Sequence, residues 1–219
     1  MTRTVFIVDD HPLLREGLAF VLNRAPGLSV VGEADSAEEA MGRIAQTRPD
    51  VVVVDVTLDG MNGIEFVKHL QATTPDLPVL VMSMHEEGLY AERALRAGAR
   101  GYLMKRQAKT EVVAAIRQIL GGGYYFSPEI TARLFGRARI SARTDPSASP
   151  LETLTDRELE VFEAYGRGLT TGQVAEALSL SPKTVGTHRD RIRNKLGLGS
   201  GAQLIQHAVL WVRRQELPG

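Results

Sequence analysis

The first 121 residues alternate short apolar segments with longer amphipathic ones. Apolar segments rich in Val and Ile and bounded by turn residues predict five strands: Thr4–Val8, Leu28–Ala34, Val51–Val56, Pro78–Met82 and Gly101–Met104. The run from Val51 to Val54 has no polar alternation, as expected for a strand that is buried on both faces of a parallel sheet. Between the strands, apolar residues recur at helical spacing. The pattern therefore predicts an α/β fold, with a doubly wound five-stranded parallel sheet and helices on both faces.

Local signals predict where several helices begin and end. Ser36-Ala37-Glu38-Glu39 and Thr155-Asp156-Arg157-Glu158 both have the pattern of a capping box. Ser127-Pro128 and Ser181-Pro182 place proline at the first helical position, which predicts two further helix starts. Gly98 predicts the end of the fourth helix.

The pattern changes after the run of three glycines at 121–123. Residues 141–150 are rich in Ser, Pro, Ala and Thr, a composition typical of linkers, and from Leu151 onward every pattern is helical. We therefore predict three parts: an α/β domain over 1–121, a linker with a short helix over 122–150, and an all-α domain over 151–219.

Composition places the chain among ordinary globular proteins. A hydrophobic fraction of 43% and a charged fraction of 24% exclude collagen-like and wholly disordered chains. The absence of cysteine excludes disulfides, a thiolate nucleophile and a cysteine zinc site, and it suits a reducing compartment. No apolar run approaches the length of a membrane span, so we expect a soluble cytoplasmic protein with no membrane partner.

The charge is balanced overall but unevenly distributed. The chain has 26 Lys and Arg residues against 26 Asp and Glu residues. Residues 1–122 contain 13 of the basic residues and 16 of the acidic ones, whereas the segment from Lys183 to Lys195 contains five basic residues and one acid. A neutral protein can thus present one basic helix.

Polar residues that suit phosphoryl chemistry follow the predicted strands. They stand at four strand ends: Asp9 and Asp10, Asp55, Ser83, and Lys105. The carboxyl ends of parallel strands meet at one edge of a doubly wound sheet, where ligands bind. Three carboxylates gathered there repel one another unless a cation lies among them, and hard oxygen ligands suit Mg²⁺. A carboxylate beside Mg²⁺ and a lysine is arranged for covalent phosphoryl transfer.

These residues carry a resemblance to a known family. The matching segments are Val8-Asp9-Asp10-His11-Pro12, Val54-Asp55, Met82-Ser83 and Gly101-Tyr102-Leu103-Met104-Lys105. They resemble the signature of two-component receiver domains, and the resemblance covers residues 4–121. It implies a CheY-like fold and phosphorylation of Asp55 by a sensor histidine kinase.

The same resemblance implies roles for the remaining residues. It implies a Mg²⁺ site made of the carboxylates of Asp10 and Asp55, the backbone carbonyl of Thr57 and, through water, Asp9. Ser83 and Lys105 would bind the phosphoryl group. Tyr102 would be the aromatic residue that changes rotamer when Ser83 moves. His11 is interpreted as a polar residue that begins the first helix.

A basic helix is the second candidate site. Two helices separated by Ser179-Leu180-Ser181 are predicted between Leu169 and Leu198, with Val185 and Ile192 on the inner face of the second. A short helix, a tight turn and a capped helix with exposed Lys and Arg predict a helix-turn-helix, whose second helix enters the major groove of DNA.

The C-terminal segments resemble the LuxR-type helix-turn-helix. They include Leu154-Thr155-Asp156-Arg157-Glu158, Gly168-Leu169-Thr170, Ser181-Pro182-Lys183-Thr184-Val185, Thr187-His188-Arg189 and Lys195-Leu196-Gly197. The resemblance covers residues 151–214 and implies a four-helix DNA-binding domain whose last helix, about Ser200–Arg213, supports dimerisation. A receiver followed by this domain is the layout of NarL-type response regulators.

Eight residues of the basic helix are predicted to contact DNA: Lys183, Thr184, Thr187, His188, Arg189, Asp190, Arg191 and Lys195. Lys183, Thr184, His188 and Arg189 lie where phosphates should run, whereas Gly186, Thr187 and Asp190 point toward base edges. Asp190 either accepts a hydrogen bond from a cytosine amino group or orients Arg191 or Arg193. The alternative is that Asp190 only caps charge on an exposed turn.

The leading hypothesis is a phosphorylation-controlled transcriptional regulator that is not an enzyme. Phosphorylation of Asp55 would drive homodimerisation and binding to double-stranded promoter DNA, with RNA polymerase as a partner if the protein activates transcription. An aspartyl-nucleophile phosphatase is the enzymatic alternative. Such enzymes have the pattern Asp-x-Asp, in which the second acid is the general acid, but here Asp55-Val56-Thr57 has a threonine at that position. A dinucleotide-dependent enzyme is weaker still, since no Gly-x-Gly-x-x-Gly follows the first strand. A receiver that acts through protein contacts without DNA binding is the third hypothesis, and the basic helix argues against it.

Overall fold

The computed structural model describes residues 1–58, 60–84, 87–128, 130–132 and 150–216, with only the backbone for Glu87, Gln215 and Glu216. The chain divides into two units, Met1–Ala142 and Arg143–Gly219. Of the predicted linker segment 141–150, all but Pro150 lies outside the described residues.

The first unit contains a five-stranded parallel sheet with the strand order β2-β1-β3-β4-β5. The strands are β1 (Arg3–Val8), β2 (Leu28–Ala34), β3 (Val51–Asp55), β4 (Val79–Ser83) and β5 (Gly101–Met104). Each predicted strand is confirmed, and no end differs by more than one residue. The four valines of the central strand β3 are at most 1% exposed, because helices cover both faces of the sheet. The predicted doubly wound α/β fold is thus confirmed.

Five helices cover this sheet: α1 (Pro12–Arg24), α2 (Ala37–Thr47), α3 (Gly63–Thr73), α4 (Glu87–Arg96) and α5 (Ala108–Leu120). A short 3-10 helix, Lys105–Gln107, connects β5 to α5. Leu18 and Leu22 of α1 and Ile116 of α5 lie in the hydrophobic core on one face of the sheet. The fourth helix ends before Gly98, which has a φ of 102°, as its position in the sequence predicts.

One predicted helix cap does not form. Ser36 stands at the N-cap of α2, but its side chain makes no capping hydrogen bond. The carboxylate of Glu39 instead pairs with Arg43 at 2.7 Å and accepts a hydrogen bond from the backbone N–H of Asp35 at 3.2 Å. The prediction of a capping box at Ser36 was therefore wrong: the Ser36 side chain accepts no capping hydrogen bond, and Glu39 accepts one from the N–H of Asp35, one residue before the N-cap.

The edge strand β5 is covered by the segment that follows α5. The backbone N–H of Tyr102 donates to the Tyr125 carbonyl at 2.8 Å, and the N–H of Tyr125 donates to the Arg100 carbonyl at 2.9 Å. Pairing of this kind satisfies backbone groups that an edge strand otherwise exposes. The next helical residues begin at Pro128, as predicted, and the Ser127 hydroxyl accepts a hydrogen bond from the N–H of Ile130 at 3.2 Å.

The second unit is helical. A 3-10 helix (Pro150–Thr153) precedes α6 (Asp156–Gly166), α7 (Thr171–Ala177), α8 (Pro182–Lys195) and α9 (Gly201–Glu216). The predicted capping box at Thr155 and the predicted start of a helix at Pro182 are both confirmed. Helices α6 and α9 pack closely at Gly166. A Cβ atom at this position would collide with the Ala208 carbonyl oxygen, so glycine permits the contact. Within the described ranges, no helix is both long enough and apolar enough to cross a bilayer.

Candidate functional site

The first candidate site lies where the winding direction of the sheet reverses. The chain adds β2 on one side of β1 and then adds β3, β4 and β5 on the other side, so that β1 and β3 are neighbours. Asp9 directly follows β1 and Asp55 ends β3. The sheet topology therefore brings these two carboxylates together at the edge where doubly wound proteins bind their ligands.

A buried lysine joins the two carboxylates. The Lys105 Nζ atom lies 2.6 Å from Asp55 Oδ2 and 2.9 Å from Asp9 Oδ2. Lys105 follows β5 and is 7% exposed, Asp9 is 2% exposed and Asp55 is 1% exposed. One ammonium thus faces two carboxylates in a region that water hardly reaches, and the group as a whole has an excess of negative charge.

This arrangement changes the acidity of both partners. Burial raises the pKa of Asp55 from its ordinary value of 3.8 to about 7, with a further rise from Asp9 and an opposing effect of the Lys105 ammonium. Burial alone would lower the pKa of Lys105, but the carboxylates of Asp55 and Asp9 raise it overall. Lys105 therefore stays charged, while the Asp55 carboxylate is destabilised.

Asp10 and His11 complete an acidic cluster at this edge. Ligand atoms of Asp9, Asp10, His11 and Asp55 all lie within 4.8 Å of one another. The Oδ1 atom of Asp10 is 2.6 Å from His11 Nδ1, yet it is shielded from solvent and has no hydrogen bond of good geometry among the described residues. Burial raises the pKa of Asp10, against the effect of His11. His11 is the N-cap residue of α1, as its interpretation as a helix start suggests, and it also reaches the site.

The remaining predicted residues lie on the same or neighbouring strand ends. Ser83 ends β4, next to β3, and is fully buried. Tyr102 of β5 is 2% exposed. The backbone of Thr57 is hydrogen bonded to the carboxylate of Asp55. The roles predicted for these residues in phosphoryl binding and switching stay predictions.

Sequence reasoning missed two residues that support Asp55. A Cβ atom on Gly63 would collide with the Asp55 carbonyl oxygen, so glycine lets the start of α3 pack against the end of β3. Asn62 is 1% exposed and caps α3 by accepting a hydrogen bond from the N–H of Ile64 at 2.7 Å. An Asn-Gly pair shortly after a buried strand is the signal that could have identified both residues.

The second candidate site is the outer face of α8. The exposed residues along α8 after its first position are Lys183, Thr187, Asp190, Arg191, Asn194 and Lys195. Arg193 Nη1 lies 3.6 Å from Asp190 Oδ1, which agrees with a role of Asp190 in orienting an arginine. Thr184 and Arg189 are half-buried at the sides of this face.

Two of the residues predicted to contact DNA, His188 and Lys195, have a shielded atom or a hydrogen-bond partner within their own unit. The Nδ1 atom of His188 is shielded from solvent and has no hydrogen-bond partner among the described residues. The Lys195 ammonium donates to the Glu158 carboxylate at 2.6 Å and to the Thr153 carbonyl at 3.0 Å. These two contacts direct the Lys195 ammonium toward its own domain, although Lys195 is an exposed residue.

Two known families match the two units of the chain. Residues 5–117 match the family described as "Response regulator receiver domain", and residues 152–208 match the one described as "Bacterial regulatory proteins, luxR family". The chain belongs to the LuxR-type response regulators. The family predicted from the sequence is confirmed, and so is its function: this response regulator is a phosphorylation-controlled, DNA-binding regulator of transcription.

Relatives cover almost the whole response regulator. It is 38% identical over 205 residues to the response regulator GacA of Pseudomonas viridiflava, which is 94% of each chain. It is 33% identical over 205 residues to the response regulator UvrY of Escherichia coli (strain K12), which is 94% of this chain and 93% of that one. These relatives are response regulators and not enzymes.

Solved structures are similar to this chain in the arrangement of their helices and strands. A LuxR-family two-component response regulator from Aurantimonas sp. SI85-9A1 is 39% identical with a TM-score of 0.57, and the match covers 64% of this chain and 100% of that one. RcsB from Salmonella enterica serovar Typhimurium, bound to promoter rprA, is 21% identical with a TM-score of 0.63, covering 95% of this chain and 99% of that one. At that identity, the RcsB match shows the fold alone.

Proposed function

We propose that Asp55 is the residue of this response regulator that accepts the phosphoryl group from a sensor histidine kinase. The observation that carries the proposal is the position of the Asp55 carboxylate, buried at the end of the central strand with the Lys105 ammonium 2.6 Å away. Burial and a neighbouring acid make this carboxylate unstable as an anion, which is typical of groups that take part in chemistry.

The transfer follows from this geometry. A carboxylate oxygen of Asp55 attacks the phosphorus atom of a phosphohistidine, the phosphorus–nitrogen bond breaks, and the released imidazole nitrogen keeps the bonding electrons and takes up a proton. Lys105 then pairs with an oxygen of the new acyl phosphate instead of with the free carboxylate. The chain accepts one phosphoryl group in this step, so it acts as a phosphorylated signal carrier and not as an enzyme with a separate substrate.

The acidic cluster fits a magnesium ion. Its carboxylates supply hard oxygen ligands within 4.8 Å of one another, and one shielded oxygen of Asp10 has no well-formed hydrogen bond among the described residues. The residues that would hold Mg²⁺ are Asp10, Asp55 and the Thr57 carbonyl, with Asp9 through water. When bound, Mg²⁺ neutralises charge on the phosphoryl oxygens and on the crowded carboxylates.

The output follows from β4, which lies beside the strand that carries Asp55, and from β5, which lies next to β4. Ser83 and Lys105 bind the phosphoryl group, and Tyr102 changes its rotamer as Ser83 moves. Because Ser83 ends β4, Tyr102 lies in β5 and Lys105 directly follows it, phosphorylation favours one packing of that side of the receiver. We propose that this packing promotes homodimerisation and binding of α8 to paired half-sites in promoter DNA, with RNA polymerase as a further partner if the regulator activates.

Labelling with a small phosphodonor tests the proposal. With Mg²⁺ and acetyl phosphate, the wild-type chain should gain one acid-stable, base-labile phosphoryl group, and Asp55→Asn should gain none. Asp76→Asn, which changes an exposed aspartate of the same domain, is the matched control and should be labelled like the wild type. Labelling that persists in Asp55→Asn would overturn the assignment. Continuous release of phosphate with many turnovers per chain would favour the phosphatase alternative.

A further inference from the structure

The inner face of the DNA-reading helix α8 combines apolar and polar residues. Val185, His188, Ile192 and Lys195 follow one another at intervals of three and four residues, so they lie along one side of the helix. Val185 and Ile192 are fully buried, which identifies that side as the one packed against the domain. Helical periodicity places His188 on this side and Lys195 at its edge, since Lys195 also follows the exposed Arg191 by one turn and is itself exposed. The contacts of the Lys195 ammonium therefore decide where this side chain points.

Glu158 of α6 is the partner of this inner face. It is 2% exposed and accepts the Lys195 ammonium at 2.6 Å and the backbone N–H of Thr155 at 2.8 Å. Lys195 stands in the last turn of α8 and also donates to the Thr153 carbonyl at 3.0 Å, before the start of α6. One ammonium thus joins the carboxyl end of α8 to the amino end of α6.

We propose that Glu158 and Lys195 form a positioning pair that sets the orientation of α8 toward DNA, and that Lys195 does not bind a DNA phosphate. If Lys195 moved to a phosphate, the buried Glu158 carboxylate would lose its charged partner, which is unfavourable. The pair also neutralises an acid that would otherwise lie beneath a helix that approaches a polyanion. The inference rests on the DNA-binding function of the LuxR-type domain and does not depend on which residue is phosphorylated.

The salt dependence of DNA binding distinguishes positioning from phosphate contact. Each phosphate contact adds about 0.9 to the slope of log Kobs against log salt concentration on duplex DNA. The probe is a short duplex of mixed sequence, titrated with the full chain at several NaCl concentrations and a constant level of acetyl phosphate. Lys183→Met, an exposed residue predicted to lie where phosphates run, is the control and should reduce the slope by about 0.9.

Lys195→Met should weaken binding without changing the slope. Glu158→Gln should also weaken binding, although it removes a negative charge, because the orientation of α8 is lost in both variants. The double variant should bind DNA no more weakly than the single variant with the lower affinity, since the two residues act as a unit. Lys195→Arg keeps a cation for Glu158 and should restore most of the affinity.

Three results would overturn the proposal. They are a slope that falls by about 0.9 in Lys195→Met, tighter binding in Glu158→Gln, and unchanged affinity in Lys195→Met. Melting temperatures establish which variants are folded. If Glu158→Gln does not fold, Lys195→Met and Lys195→Arg decide the question through their slopes and affinities.

Discussion

The receiver and the DNA-binding domain each contain a lysine ammonium 2.6 Å from a buried carboxylate. The pair is Lys105–Asp55 in the first and Lys195–Glu158 in the second. The two acids nevertheless respond in opposite directions. The pKa of Asp55 rises to about 7, whereas the pKa of Glu158 falls below its ordinary value of 4.5.

The surroundings of each pair explain the difference. Asp55 shares its lysine with a second acid, Asp9, and burial outweighs the attraction of the ammonium. Burial also acts on Glu158, but the hydrogen bonds from Lys195 and from the backbone N–H of Thr155 outweigh it. Glu158 also lies in the first turn of α6, where the helix dipole favours negative charge. The same pair of residue types is therefore poised for chemistry in one domain and holds helices together in the other.

Opposite effects on stability are the first and largest expectation. Without metal and above pH 7, Asp55→Asn should stabilise the receiver, because it removes a destabilised anion. The change in pKa from 3.8 to about 7, which already includes the attraction of Lys105, corresponds to at most about 4 kcal/mol at 1.36 kcal/mol per pKa unit. Glu158→Gln should destabilise its domain by about 1.5–3 kcal/mol, the range for hydrogen bonds to charged groups.

The single tryptophan allows the two domains to be measured separately. Trp211 lies in α9, so its fluorescence during urea unfolding reports the DNA-binding domain of the full chain. Calorimetry in the presence of EDTA reports the receiver. The comparison between the two pairs fails if both variants shift stability in the same direction.

The pH dependence of the two effects should also be opposite. A raised pKa in the folded state means that the contribution of Asp55 to stability is complete below about pH 3.8 and is lost as the pH rises through about 7. The gain from Asp55→Asn should therefore grow over that interval. The lowered pKa of Glu158 means that its contribution is present above about pH 4.5 and is lost as the pH falls further. The cost of Glu158→Gln should shrink in acid, and a constant cost would argue against the charged pair.

The receiver site was largely predictable, because its residues stand at strand ends. Asp9, Asp55, Ser83 and Lys105 each follow or end an apolar run, and the parallel topology alone brings such positions to one edge. The contacts were not predictable in the same way. These contacts depend on packing between elements that are far apart in the sequence. Examples are the contact of Lys105 with both Asp9 and Asp55, and the close approach that requires glycine at position 63.

The DNA-binding helix was harder to interpret, because a basic segment does not reveal which of its charges face outward. The positions of Val185 and Ile192 identify the buried side of α8, but Lys195 lies at its edge, three residues after Ile192 and four after the exposed Arg191. The sequence does not reveal the partner of Lys195, because Glu158 is 37 residues away. The failed cap at Ser36 was likewise not predictable, because its residue pattern is the same as that at Thr155, where the capping box forms.

A change at Ser83 should separate phosphorylation from its output. In Ser83→Ala, Asp55 should still accept phosphate from acetyl phosphate, whereas phosphate-dependent dimerisation should weaken. The reason is the loss of one charge-assisted hydrogen bond to the phosphoryl group, worth about 1.5–3 kcal/mol, while a complete two-state switch needs about 5.5 kcal/mol. Sedimentation with and without phosphodonor measures the effect, and Asp55→Asn defines the unphosphorylated baseline. Unchanged dimerisation would remove Ser83 from the switch.

The smallest expected effect concerns two helix starts with the same sequence pattern. The Thr155 hydroxyl accepts a hydrogen bond from the N–H of Glu158 at 3.2 Å, so Thr155→Ala should cost about 1 kcal/mol of unfolding free energy in the DNA-binding domain. Ser36 makes no such bond, so Ser36→Ala should change the stability of the receiver by less than about 0.5 kcal/mol. Trp211 fluorescence and calorimetry measure the two costs. Equal costs would mean that the residue pattern decides helix stability, whereas unequal costs mean that the formed cap does.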